Sequence, residues 1–116
     1  MTERRRFLRF ETALKCLCEI VNEKCKAYFR IKNISKEGAL ILIDKKLGEG
    51  SEIKLSMDVP GDNVPILASC QVAWQKTPKR SALYETGVKF TRIESLDKGR
   101  LLEYIYLQWL KFIDKR

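Results

Sequence analysis

The stretch Glu52-Ile-Lys-Leu-Ser-Met-Asp-Val59 alternates polar and apolar side chains over its whole length. Successive side chains of a β-strand point to opposite faces of the sheet, so this period of two predicts a strand with one buried and one exposed face. The stretch is followed by Pro60-Gly61-Asp62-Asn63, which has the composition of a tight turn. A strand followed by a turn is therefore the structural unit that we expect throughout this chain.

Five other segments carry strand signals, and turn-forming residues separate them. In the longest of them, Val72 and Trp74 are predicted to face the core together with Ile66, whereas Gln75 is predicted to face solvent. The six predicted strands cover residues 13–20, 26–32, 39–43, 52–59, 66–75 and 84–90.

After these strands the spacing of apolar residues changes to the three or four of a helix, which predicts one α-helix over residues 95–115. Six antiparallel strands in a chain of 116 residues most simply close into a barrel. We therefore predict a mainly β fold, a six-stranded antiparallel β-barrel with a C-terminal α-helix, in one domain over residues 1–116. The barrel is assigned to residues 11–92, and residues 1–10 are assigned to a flexible basic arm. The apolar stripe predicted for the helix consists of Leu101, Leu102, Ile105, Trp109, Phe112 and Ile113.

The composition argues against an enzyme and against a metal centre. The chain contains no histidine, which is the commonest general base and the commonest metal ligand. It also has no glycine-rich phosphate loop of the Walker or Rossmann type. Cys16 and Cys18 share a predicted core face. Together with Cys25 and Cys70 they lack a standard zinc-ligand spacing, so we expect reduced structural cysteines and no metal.

The hydropathy of the sequence indicates where the protein is located, and its charge indicates which class of partner it binds. No apolar run is long enough to span a bilayer, and no apolar segment follows the basic N-terminus as it would in a signal peptide, so we expect a cytoplasmic location. Lysine and arginine number 23 and aspartate and glutamate number 15, which gives a formal net charge of +8. This excess predicts an anionic partner: a nucleotide, a nucleic acid or an acidic membrane surface.

Two polar stretches stand out from the strand pattern. Arg4-Arg5-Arg6-Phe7-Leu8-Arg9 holds four guanidinium groups, each of which can fork onto phosphate oxygens or onto the O6/N7 edge of guanine. Asn33-Ile34-Ser35-Lys36-Glu37-Gly38 falls between two predicted strands, and its Asn, Ser and Gly are typical of a turn in which glycine supplies a positive φ. Taken singly, the first stretch is explained by a solvated basic tail and the second by a connecting turn.

Taken together, the two stretches resemble the PilZ domain family. The family's first motif, Arg-x-x-x-Arg ahead of the first strand, matches Arg5 to Arg9, and its second, Asp/Asn-x-Ser-x-x-Gly, matches Asn33 to Gly38. Two weaker marks, Val-x-Trp at 72–74 and Gly-x-x-Phe at 87–90, also match. The resemblance extends over most of the chain. It implies a PilZ-type barrel that binds cyclic di-GMP, a bacterial second messenger with two guanines and two phosphodiesters.

The resemblance also implies a mechanism without chemistry and without a cofactor. Arg5 and Arg9 would bind guanine edges or phosphates, while Asn33 and Ser35 would meet the polar edge of a guanine. In this family an arginine directly before the first motif accompanies binding of an intercalated ligand dimer, and Arg4 holds that position. The ligand would order the arm on the barrel, and a downstream protein would recognise the new surface. The implied ligand-binding residues are Arg4, Arg5, Arg9, Asn33, Ser35 and Gly38.

Two alternatives stay open at this point. A basic barrel would also suit nucleic acid, although most aromatic residues here fall on predicted core faces. A PilZ-like domain that has lost its ligand would act only as a protein-interaction module, with the helix as its contact surface. Four residues widen the apolar surface of that helix: Tyr104, Tyr106, Leu107 and Leu110.

Overall fold

The computed structural model describes residues 10–114. Within this range the chain forms six β-strands and then one α-helix. The strands are β1 (Phe10–Ile20), β2 (Cys25–Ile34), β3 (Gly38–Ile43), β4 (Glu52–Met57), β5 (Ile66–Lys76) and β6 (Tyr84–Arg92), and the helix is α1 (Ser95–Asp114).

The sheet closes on itself, so every strand has a neighbour on both sides. The order around the barrel is β1-β2-β3-β6-β5-β4, and all six pairings are antiparallel. Closure leaves no row of unpaired backbone groups at a sheet edge. The predicted fold class, a six-stranded antiparallel barrel followed by a helix, is confirmed.

Some element limits differ from the prediction. Asn33 belongs to β2 and Gly38 to β3, so the connection between the two strands is only residues 35–37. The predicted arm, residues 1–10, lies outside the described residues except for Phe10, which begins β1. Within the described range, no helix has both the length and the hydropathy that crossing a membrane requires.

The barrel interior is filled by the inward side chains of all six strands, which are almost entirely aliphatic or thiol groups. Cys16 and Cys18 are buried in this core, as predicted, with their Sγ atoms 3.6 Å apart. The interaction with Cys16, together with burial, raises the pKa of the Cys18 thiol. Burial raises the pKa of Cys70 to about 12. Both groups are therefore neutral thiols at physiological pH, which is the unreactive form of cysteine.

A β-bulge in β5 reverses part of the predicted inside–outside pattern. The register against β6 shifts between Val72 and Trp74, so the residues after the shift change face. Trp74, predicted to face the core, is 42% exposed on the outside. Gln75, predicted to face solvent, donates to the buried Thr86 Oγ1 at 3.0 Å and accepts from the Leu47 amide at 2.8 Å. The prediction for these two residues is wrong because strand periodicity alone does not show a bulge.

The helix is anchored to the barrel by charged and aromatic contacts near its start. Arg100 donates to Asp97 at 3.1 Å and to Asp62, in the β4–β5 connection, at 2.6 Å. Leu101 and Tyr104 of the same helix are buried. The single apolar stripe predicted for α1 is wrong in part, because the structure divides it between two faces. Leu102, Trp109 and Ile113, all assigned to that stripe, are exposed.

Candidate functional site

The connection between β2 and β3 is shaped by the Ser35 side chain. Ser35 Oγ accepts from the Glu37 amide at 3.3 Å and donates to the Gly38 carbonyl at 3.4 Å, while the Ser35 amide donates to the same carbonyl at 2.9 Å. The Phe90 amide donates to the Glu37 carbonyl at 2.9 Å, which attaches the connection to β6. Ser35 is 2% exposed, so its hydroxyl is engaged in holding the loop.

Gly38 is required for a different reason from the one predicted. Positive φ angles occur at Gly50 and Gly61, and Gly38 is not among the glycines that adopt one. A Cβ added at Gly38 would instead overlap the carbonyl oxygen of Val88. Gly38 lies opposite Lys89 in the β3–β6 pair, so the missing side chain lets the two strands approach at the end of the loop.

Asn33 lies on the outer face of the barrel at the end of β2. The register against β3 shifts between Ile31 and Asn33, and the next residue, Ile34, is fully buried in the core. The Oδ1 atom of Asn33 is buried, yet it accepts no hydrogen bond within the described part of the chain. A buried acceptor without a donor costs about 1–3 kcal/mol. Buried polar groups in folded proteins nearly always have a hydrogen-bond partner, so this acceptor is open to a donor from outside the described residues.

A row of cross-strand neighbours connects Asn33 with Trp74. Asn33 pairs with Leu40, Leu40 with Gly87, and Gly87 with Trp74. The Trp74 indole covers Gly87 so closely that a Cβ at that position would overlap the ring. Three interstrand steps of about 4.8 Å separate the two ends of the row, or about 14 Å. The outer face thus offers an amide oxygen at one end and an exposed aromatic ring at the other.

Lys89 adds a cation to this face. It lies two residues after Gly87 in β6, so both residues point to the same side of the sheet. Lys89 is exposed, and its side chain takes part in none of the ion pairs found within residues 10–114.

Sequence reasoning did not select Trp74, Gly87 or Lys89 as ligand residues. The first two belong to the Val-x-Trp and Gly-x-x-Phe marks, which were treated only as signs of the family. The pairing that sets the Trp74 ring over Gly87 depends on the register of β5 against β6, which the sequence alone does not show.

The predicted arginines Arg4, Arg5 and Arg9 lie outside the described residues. The strand register nevertheless defines where the chain enters the barrel. Phe10, the first residue of β1, pairs with Ile34, which follows Asn33 directly. The segment that carries the first motif therefore joins the barrel beside the second motif.

The fold is shared with solved PilZ proteins. The chain is similar to the PilZ domain of YcgR from Escherichia coli, solved with c-di-GMP, at 15% identity and a TM-score of 0.72, with 97% of both chains covered. It is also similar to the Bacillus subtilis inhibitor of motility MotI/DgrA at 18% identity and a TM-score of 0.77, covering 95% of this chain and 53% of that one. It is similar, too, to MrkH from K. pneumonia in its c-di-GMP complex, at 18% identity and a TM-score of 0.75, covering 99% of this chain and 57% of that one.

The chain spans just over half the length of the MotI/DgrA and MrkH chains. No curated protein matches its sequence. The family model described as PilZ domain matches residues 3–107, which include both motifs, the whole barrel and the first part of α1. The chain therefore belongs to the PilZ domain family.

Proposed function

We propose that this PilZ domain is a receptor for cyclic di-GMP and that reversible binding is its activity. The observation that carries the proposal is the orphaned Oδ1 atom of Asn33. The Watson–Crick edge of guanine presents N–H donors, one of which would supply the hydrogen bond that Asn33 lacks. The complexes that YcgR and MrkH form with c-di-GMP support the same ligand, because both proteins share this fold.

Trp74 is proposed as the second contact for the ligand. Its indole lies over Gly87 and is 42% exposed, so it offers a surface on which a purine base would stack. Stacking of a base on an aromatic side chain contributes about 1–3 kcal/mol. A ligand with two guanines suits this face, because one base would meet Asn33 and the other would meet Trp74.

The cations beside this face are proposed to bind the phosphodiesters. Arg5 and Arg9 belong to the segment that joins the barrel next to Asn33, and Lys89 lies on the same outer face. Guanidinium groups bind phosphate through paired hydrogen bonds, which makes arginine well suited to this role. Arg4 is proposed to serve a second, intercalated ligand molecule, since two molecules carry four phosphates.

The consequence of binding is proposed to be a switch. A dianionic ligand would link residues 4–9 to the Asn33–Gly38 loop and fold the arm onto the barrel, since it binds the closed arrangement better than the open one. A downstream protein would then recognise the combined surface. We propose a cytoplasmic location for the receptor, which the four free thiols support because cysteines stay reduced there.

Isothermal titration with cyclic di-GMP tests the proposal, with GTP and cyclic AMP as competitors for specificity. We expect micromolar or tighter binding, which corresponds to about −8 kcal/mol. Arg9→Ala is expected to weaken binding by about 30-fold or more. Arg92→Ala is the matched control, because this exposed arginine ends β6 beside Ser69 of β5, five residues beyond Gly87. Wild-type affinity in Arg9→Ala, or equal losses in both variants, would contradict the assignment.

The same titration addresses the stoichiometry. If Arg4 serves an intercalated ligand dimer, the wild-type protein binds two molecules per chain and Arg4→Ala binds one. Saturation of the wild type at one molecule would reject the dimer while leaving the receptor itself in place.

A further inference from the structure

The outward face of α1 carries a second apolar stripe that the barrel does not cover. Leu102 is 40% exposed, Tyr106 55%, Trp109 37% and Ile113 40%. The helix meets the barrel through other residues, including the buried Leu101 and Tyr104. The rings of Tyr106 and Trp109 lie 6.1 Å apart at 30°, so the middle of the stripe is one continuous aromatic surface.

The spacing of this stripe is that of a helix–helix seam. Its members follow one another at intervals of four, three and four residues, which is the a/d pattern of a heptad repeat. In that pattern Tyr106 and Ile113 occupy a positions, and Leu102 and Trp109 occupy d positions. In parallel coiled coils, a β-branched residue at a and leucine at d favour two strands, and Ile113 and Leu102 are of these types, whereas Tyr106 and Trp109 are aromatic. The surface is therefore shaped for another α-helix.

The residues that flank the stripe distinguish which helix fits. In a parallel pair, the residue at a g position faces the following e position of the partner, five residues further along. Lys98 occupies g and Glu103 occupies e, so two copies of α1 would form this opposite-charge pair twice. The next g position, Ile105, packs against the barrel core of its own chain, so Lys98 and Glu103 alone define the charge pattern beside the stripe. The two Lys98–Glu103 pairs of a parallel self-dimer are thus complementary.

We propose that α1 pairs in parallel with α1 of a second copy of this chain. Lys98 and Glu103 are exposed and make no ion pair within the described range, so both are free to face a partner. At 100° per residue, the stripe and the barrel-facing residues Leu101 and Tyr104 lie on roughly opposite sides of the helix. The two barrels therefore lie outside the helix pair, on opposite sides of it.

This arrangement limits the repulsion between two chains of charge +8. The Debye length at physiological ionic strength is about 8 Å, shorter than the separation of two barrels across a helix pair. The seam itself spans only three helical turns. The surface area that it would bury is therefore well below that of an obligate dimer interface. We therefore expect a dissociation constant of about 10–100 µM.

Sedimentation velocity of the full chain without nucleotide tests the proposal, from low micromolar to several hundred micromolar. We expect the wild type to pass from monomer to dimer over this range. Leu102→Glu buries a charge in the seam and is expected to remain monomeric throughout. Leu96→Glu is the matched control, because Leu96 is 78% exposed on the same helix and lies outside the stripe. Circular dichroism verifies that the variants remain folded.

A charge exchange tests the parallel register directly. Lys98→Glu alone and Glu103→Lys alone each place like charges opposite one another, so each variant is expected to dimerise about tenfold more weakly. An equimolar mixture of the two variants restores both opposite-charge pairs, so heterodimers are expected to form at wild-type strength. A wild type that stays monomeric would overturn the proposal and leave the stripe to another partner. An equimolar mixture that dimerises no more strongly than either variant alone would overturn it as well.

Discussion

The side-chain hydroxyl oxygens of Thr12 and Tyr104 lie 2.7 Å apart, although 92 positions separate the two residues in the chain. Thr12 lies in β1 where the register against β2 shifts, between Glu11 and Leu14. Tyr104 is a buried residue of α1. This hydrogen bond joins the segment through which the chain enters the barrel to the helix that ends the described structure.

Removing this link is expected to weaken the attachment of the helix. Tyr104→Phe keeps the ring but leaves Thr12 Oγ1 without its partner, so we expect the free energy of unfolding to fall by about 1 kcal/mol. Urea denaturation at low micromolar protein concentration measures the loss. Tyr106→Phe is the control, since that ring is mostly exposed, and it should change stability little. Equal losses in the two variants would show that the hydrogen bond carries no specific stability.

A methyl group at Gly38 tests the close approach of β3 and β6. Gly38→Ala would place its Cβ against the backbone carbonyl of Val88, which cannot swing away as a side chain can. We expect a loss of about 2–4 kcal/mol in unfolding free energy, in the range of severe overpacking. Gly48→Ala is the control, because its Cβ would meet only Ser51 Oγ at 3.8 Å. A thermal midpoint for Gly38→Ala equal to that of the control would show that the strands separate without cost.

The strand number, the barrel and the helix could be predicted because alternation and turn residues are local signals. The face on which Trp74 lies could not be predicted, because the bulge after Val72 arises from pairing with β6. A shift of one residue moves the following side chains from the inner to the outer face of the sheet. Asn33 was selected as a site residue from its motif. Its orphaned Oδ1 atom and its row of neighbours up to Trp74 depend on barrel closure, which no single segment of sequence determines.

The division of α1 into a covered and an exposed face also depends on distant contacts. The spacing of apolar residues showed that α1 is apolar on more than one side. The predicted stripe, however, combined residues that lie on different faces of the helix in the structure. Leu101 packs on the barrel and its neighbour Leu102 does not. Which of two adjacent leucines is covered depends on where Arg100 and Tyr104 fix the helix, and both contacts are made to residues far away in the sequence.

Asn33→Ala is expected to lower affinity without lowering stability. The buried Oδ1 atom accepts no hydrogen bond within the described residues, so its removal should not lower the unfolding free energy and should raise it by about 1 kcal/mol, as relief of an unsatisfied buried acceptor does. Binding of cyclic di-GMP should weaken by about tenfold or more, since a hydrogen bond to the ligand is lost. Asn63→Ala, in an exposed turn, controls for the substitution itself. If Asn33→Ala is less stable than the wild type and binds cyclic di-GMP normally, Asn33 stabilises the fold and does not bind the ligand.

Gly87→Ala probes the position of the Trp74 ring. The added methyl would collide with the indole, which is partly exposed and can move outward, so stability should change little. In a Trp109→Phe background the remaining fluorescence comes from Trp74, and we expect its emission to shift to the red. Affinity for cyclic di-GMP should fall by about tenfold, as for Trp74→Ala, because stacking on the ring is lost. Unchanged emission and affinity would contradict both the packing and the stacking role.

Asp62 makes the attachment of the helix depend on pH. The Val64 amide, at 3.0 Å, and the Arg100 guanidinium lower the pKa of the Asp62 carboxyl below its ordinary value. A carboxyl whose pKa is lower in the folded chain stabilises the fold above its unfolded pKa of about 3.9, and this stabilisation is lost as the pH falls through the folded pKa. Asp62→Asn should therefore have a lower thermal midpoint than the wild type at neutral pH, and the two should converge in acid.

The comparison is made by following thermal unfolding from neutral pH down to about pH 2, through the acid range in which paired carboxyls take up protons. Asp58→Asn is the matched control, since Asp58 is exposed and forms no ion pair in the part of the chain that the structure describes. Its midpoint should follow the wild type throughout. If the thermal midpoints of Asp62→Asn and the wild type differ by the same amount down to the lowest pH, the contact of Asp62 with Arg100 does not depend on the charge of the carboxylate.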